Sequence, residues 1–176
     1  MLQQNTTASG QYAINSVQLN LVTFVDVYNT NVHQTLEGNV FMMDNCNESR
    51  GQGTPHLQTV CKQGQILNWI IYAMDAGKRP DGTFPPSVKI NNIVMVNESG
   101  SDVASDQIFR ELRIIGGPDK IRSKYTSVFY YWAGALLGDA PVGVYKYRFI
   151  LEVGTEDPSK KNYFNLNTPS LKIIEI

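Results

Sequence analysis

The sequence predicts an all-β fold, a β-sandwich of Greek-key or jelly-roll type with about nine or ten strands, and three observations carry that prediction. Apolar residues recur at every second position in run after run, the mark of half-buried strands. No stretch longer than about ten residues keeps a 3.6-residue period free of Gly, Pro or β-branched interruptions. Clusters of Gly, Pro, Asn and Asp separate the runs at a spacing of roughly 10 to 20 residues. With 176 residues the chain fits one domain that buries roughly 70% of its unfolded surface, so no disulfide or metal staple is required.

Residues 1 to 15, "MLQQNTTASGQYAIN", are polar and rich in Gln, Asn and Thr; they read as a loosely held arm, with residues 16 to 176 forming the single sandwich domain. The first strand is "VQLNLVTFVDVY", residues 17 to 28, where Val17, Leu19, Leu21, Thr23, Val25 and Val27 share one parity while Gln18, Asn20 and Asp26 take the other. Strands follow at 39–44 ("NVFMMD"), 56–62 ("HLQTVCK") and 65–74 ("QILNWIIYAM"). The stretch 74–87 carries three prolines and two glycines and is a long loop. Strands at 87–97 and 107–116 flank the acidic connector "ESGSDVASD", whose Ser and Asp residues suit a short helical turn. After the turn region "GGPDKIRSKYT" come the aromatic strand "SVFYYWAG" at 127–134 and "GVYKYRFILEVG" at 143–154. In the latter Tyr145, Tyr147, Phe149, Leu151 and Val153 oppose a largely charged face. The chain ends in a hairpin-like strand pair, 162–167 and 170–176, joined through Thr168 and Pro169.

The net charge of −1 argues against nucleic-acid binding, which needs clustered cations; the densest basic stretch, Lys120 to Lys124, holds three. No segment reaches the 18 or so apolar residues of a membrane span, and the N-terminus lacks the pattern of a secretory signal. The expectation is a cytosolic protein, or one exported without such a signal. Cys46 and Cys61 form no CxxC pair, and His33 and His56 are too few and scattered to complete a zinc set. Free thiols are expected in a reducing compartment, and a Cys46–Cys61 disulfide around the turn between them remains open.

Candidate chemistry is sparse. Gly51-Gln52-Gly53-Thr54-Pro55 resembles a phosphate loop only in its glycines: a strand pattern follows where a helix N-terminus would be needed. It reads as a turn using positive φ. His56 and Cys61 lie five apart on one strand and face opposite ways, so they form no local nucleophile–base pair. His33 meets Asp26 or Asp44 only through tertiary folding. Asp75 with Asp81, or Asp102 and Asp106 with Glu98, offer oxygen ligands without an EF-hand pattern, and read as solvated turn formers. No cofactor or metal is expected. Tyr130, Tyr131 and Trp132 are consecutive, so at least one points away from the core. They are the candidate association or ligand surface, with plain core packing as the competing account.

The stretch "GQGTPHLQTVCKQGQILNWIIYAMD" resembles the bacterial inclusion-body protein family of the PixA/AidA type, on Gly51, Gly53, Thr54, Gly64 and Trp69. The strand "LVTFVDVYNT" with Asp26, the run "VFYYWAG", and the pairing of "GVYKYRFILEV" with "NYFNLNTPSLKI" are similar to its opening and ending. Gln65 departs from the acid the pattern places after the glycine. The resemblance implies a small β-sandwich that accumulates in quantity, in some members as intracellular inclusions and in some linked to an animal host. It implies no catalytic residues; Trp69 and Tyr163 would be framework positions. Five methionines are too few for sulfur storage. The leading expectation is therefore a noncatalytic homo-oligomer with a possible host protein or glycan partner. A lectin-like module stacking sugars on Tyr130, Tyr131 or Trp132 is the first alternative, and an enzyme on a sandwich scaffold the second.

Overall fold

A computed structural model describes residues 18–75, 83–97, 99–116 and 130–176. The expected N-terminal arm, Asp81, Glu98 and the Lys120–Lys124 stretch lie outside the described residues.

The alternation of the first strand is realised in β1 (Leu19–Asp26), with Leu19, Leu21, Thr23 and Val25 buried. It ends two residues before the sequence pattern does, because Asp26 caps a short helix, α1 (Val27–His33). The Asp26 carboxylate accepts from Asn29 N at 3.0 Å and from Asn29 Nδ2 at 2.8 Å, satisfying an otherwise orphaned first-turn donor. The helix "VYNTNVH" is built from poor helix formers and is held by that cap and by burial of Val27 and Thr30. Hence no helical period announces it.

Ten further strands follow among the described residues: β2 (Val40–Asp44), β3 (Gln58–Lys62), β4 (Ile66–Met74), β5 (Val88–Val96), β6 (Asp102–Val103), β7 (Phe109–Gly116), β8 (Tyr130–Leu136), β9 (Gly143–Gly154), β10 (Lys161–Leu166) and β11 (Ser170–Ile174). The helical turn expected in the acidic connector is a 3-10 turn at Ser105–Gln107. The chain passes repeatedly between two sheets. One has the order β2-β1-β4-β8-β7; the other runs β3-β11-β9-β5-β6, with β10 also against β9. Each sheet contains one parallel pair, β1 with β4 and β3 with β11, which a purely hairpin-based reading does not anticipate.

The ending differs from the expected hairpin of the last two strands. Both β10 and β11 pair with β9 and not with each other. Leu166 is opposite Phe149 and Ser170 opposite Lys146, so residues 167–169 face only Tyr147 and Arg148. That one extra residue is a bulge. Pro169, which has no N–H to give the ladder, sits in it and accepts from Tyr147 N at 3.2 Å. The hairpin is thus β9 against an interrupted β10–β11 strand.

Between the sheets lies one core whose centre is aromatic. Trp69 is fully buried and edge-on to Phe109 and Tyr147, at centroid distances of 5.7 and 6.1 Å, and Tyr147 meets Phe149 at 5.2 Å. Gly134 on β8 makes room for it: a Cβ there would lie 3.0 Å from Trp69 Cζ3 and 3.1 Å from a Leu112 methyl.

Candidate association surface

The consecutive aromatics of β8 divide between the two faces of their sheet, as alternation requires. Trp132 pairs with Trp69 in register and turns inward; its Nε1 donates to Ile90 O at 2.7 Å. Tyr131 pairs with Ile70 on one side and Ile115 on the other and belongs to the outer face. Tyr130 pairs with Ile71 through its backbone, and its side chain lies outside the description.

Tyr131 is one position in a larger apolar face that the sequence pattern did not single out. Registers align Met43, Val22, Ile70, Tyr131 and Ile115 in one row across all five strands. A second row holds Phe41, Phe24 and Tyr72. Phe24 and Tyr72 stack with ring centroids 5.7 Å apart, while Phe41, Met43 and Tyr72 are 38%, 43% and 38% exposed. The next row, Asn20, Asn68, Ala133 and Arg113, brings in polar groups. Among the described residues the one charge in these rows is Arg113 at the β7 edge, paired with Glu111 at 3.0 Å. A signal was available in β1: Val22 and Phe24 put apolar residues on both parities, which marks a strand covered on both faces.

The other sequence-singled residues fall elsewhere. Gly51 (φ 76°) and Gly53 (φ 79°) form the turn before β3. Thr54 N and Oγ1 both donate to Gly51 O, at 3.1 and 2.8 Å, and Gly53 N donates to Met42 O at 2.7 Å. The Gly53 and Thr54 N–H groups are thus spent inside the fold, and a strand follows instead of a helix. Gly64 (φ 72°) turns the chain from one sheet to the other between β3 and β4, its N–H donating to Leu137 O at 3.0 Å. Tyr163 is exposed on β10, its hydroxyl 3.4 Å from a Glu152 carboxylate oxygen. Partial burial pushes the Glu152 carboxyl up, but hydrogen bonds from Lys161 and Asn91 outweigh it and hold the group below its usual range.

Cys46 and Cys61 are both free thiols. Burial pushes the Cys61 thiol up to about 12, and the neighbouring Cys46 and Asp44 add to the cost of a thiolate. Asp44 accepts from Thr59 Oγ1 at 2.6 Å and Cys46 N at 2.9 Å. His33 ends α1 and His56 precedes β3, both exposed. Of the acidic groups considered for calcium, Asp102 is bound by Arg148 at 2.7 Å. Among the described residues no three His, Cys, Asp or Glu side chains gather as a metal site, and no helix is long and apolar enough to cross a membrane.

Comparison with known proteins agrees with the sandwich. The chain is similar in structure to a crystal structure of the inclusion body protein PixA from Burkholderia cenocepacia J2315, with a TM-score of 0.51 and 10% identity, covering 99% of this chain and 100% of that one. At that identity the likeness is one of fold. No curated protein matches. The family model described as a domain of unknown function, DUF8788, matches residues 17–158. With most of the sandwich inside that match, the chain belongs to the DUF8788 family.

Proposed function

We propose that this protein is a noncatalytic β-sandwich that self-associates through the outer face of the β2-β1-β4-β8-β7 sheet and accumulates as cytoplasmic inclusions. The carrying observation is the pair of apolar rows crossing that face, Met43 to Ile115 and Phe41 to Tyr72, with Phe41, Met43 and Tyr72 substantially exposed. Contiguous apolar surface of this kind gains free energy when covered, and rows that carry no interior charge among the described residues impose no like-charge penalty on a second copy. The fold shared with an inclusion body protein supports the same reading. So does the state of Cys61, whose buried thiol is held protonated and is a poor nucleophile.

Sedimentation velocity over a concentration series tests this. The expected result is a weight-average mass that rises with concentration. A strictly monomeric protein up to the solubility limit would overturn it.

A further inference from the structure

Three connections meet at one end of the sandwich: the α1–β2 loop, the turn before β3, and the bulge between β10 and β11. They enclose a cleft of about 500 Å³ lined by residues 34–38, 55–56 and 164–168. Its position is independent of the apolar sheet face. Its lining is of a different character.

The cleft is fixed before any ligand arrives. Asn39 N donates to Leu36 O at 3.0 Å and Asn39 Nδ2 to Thr35 O at 3.0 Å, which holds the first loop closed. The second is held by the Thr54 bonds to Gly51 and by the Arg50–Gln58 bridge. Thr168 Oγ1 donates to Pro55 O and Ser170 N donates to Leu57 O at 3.0 Å, tying the third connection to the second. One loop closed on itself beside two that are tied together gives a concavity whose ordering cost is met by folding, not by binding.

The lining chemistry selects a ligand class. Leu36, Leu166 and the half-buried Phe164 provide apolar surface. Around it stand Gln34, Thr35, Asn167 and His56, while Asn165, next to Phe164 on β10, turns its side chain to the other face. The side chains of Asn167 and His56 make no hydrogen bond within the described residues. Gln34 uses only its Nε2, donated to Asn31 O at 2.6 Å, leaving its carbonyl oxygen to accept. Amides and imidazole offer both donors and acceptors, the pattern that neutral hydroxyls, which also donate and accept, can satisfy in full. Among the described residues the lining holds no Lys or Arg and one carboxylate, Glu37, so phosphates and other anions meet no Lys or Arg there. An apolar ligand would leave the amide rim unpaired.

We infer that this cleft binds a neutral carbohydrate, with the C–H face of a sugar ring against Phe164 and its hydroxyls bonded by Asn167, His56 and Gln34. The aromatic supplies the apolar half of the contact and the amides its orientation.

Nuclear magnetic resonance titration of the full chain with galactose, mannose, fucose and N-acetylglucosamine, each to high millimolar concentration, together with a glycan array, tests the assignment. At least one sugar or array glycan should give saturable shifts confined to residues 34–38, 55–56 and 164–168. Asn167→Ala and His56→Ala, both at exposed positions, should each weaken that binding about tenfold, as expected for a lost hydrogen bond, with the rest of the spectrum unchanged. A blank array together with unperturbed cleft signals would overturn it. So would shifts that map elsewhere or persist unchanged in both variants.

Discussion

The indole N–H of Trp132 donates to the main-chain oxygen of Ile90 at 2.7 Å, joining β8 of one sheet to β5 of the other. The acceptor lies beside an irregularity in β5: Ile90 is opposite Leu151 and Asn92 opposite Ile150, so Asn91 is an extra residue, and such a bulge disrupts the ladder locally. Trp132→Phe keeps most of the packing and leaves that carbonyl without its partner. It should cost about 1–3 kcal/mol, read as a fall of several degrees in Tm. An unchanged melting curve would mean that the tie contributes nothing.

The two glycines of the GxGT turn are not equivalent. Both have positive φ, but a Cβ on Gly53 would meet nothing within 4 Å, whereas one on Gly51 would lie 2.6 Å from His56 O. Gly53→Ala should therefore cost only the left-handed penalty, about 1–2 kcal/mol. Gly51→Ala adds a backbone clash and should cost about 3 kcal/mol or more. Denaturant titration of the two variants separates them; equal losses would count against the clash. Because the turn also carries Pro55 and His56 into the cleft, Gly51→Ala should disturb the cleft signals as well.

Local pattern made the strands legible. Leu19, Leu21, Thr23 and Val25 alternate as β1 requires, and Tyr147, Phe149, Leu151 and Val153 do so in β9. What could not be read depends on partners distant in sequence. The helix after Asp26 owes its existence to one cap and two buried side chains, and the β10–β11 interruption is defined by its register on β9. That at least one of Tyr130, Tyr131 and Trp132 points outward was legible, but which one, and the row of Tyr131 with Ile70, Val22 and Met43, exist only once strand order is known. The cleft requires three loops to meet, which no single stretch announces.

Two buried acids set an alkaline limit on stability. The Cys61 thiol ordinarily titrates near 9.0 and in the fold is pushed up to about 12, chiefly by burial. The Tyr147 hydroxyl, also raised chiefly by burial and lowered in part by Trp69 Nε1 close by, has no hydrogen-bond partner of good geometry among the described residues, and neither has Trp69 Nε1. Between its unfolded and folded values Cys61 binds a proton only in the folded chain. Its stabilising contribution is complete below about pH 9 and declines as pH rises toward 12, by up to about 1.4 kcal/mol per pH unit. Urea midpoints from pH 8 to 11 should fall, and Cys61→Val should flatten the slope. Tyr147→Phe should be neutral or stabilising by up to about 1 kcal/mol at neutral pH, since it deletes an orphaned buried hydroxyl. Parallel pH slopes for Cys61→Val and the unaltered protein would rule out the thiol as the source.

Self-association can be assigned to a face by introducing charge where folding does not need the side chain. Phe41 and Met43 alternate outward along β2 while Val40 and Met42 are buried, so Phe41→Lys and Met43→Lys leave the core intact. Both lie on the apolar rows, and two copies meeting there would bring like charges into contact with a desolvated surface. Each substitution should weaken association at least tenfold, about 1.4 kcal/mol, with a change in folding stability within about 0.5 kcal/mol. Tyr163→Lys, on β10 in the other sheet and 61% exposed, is the control and should leave association unchanged. If Tyr163→Lys disrupts assembly while Phe41→Lys and Met43→Lys do not, the copies meet through the β10 face and the apolar rows have another purpose.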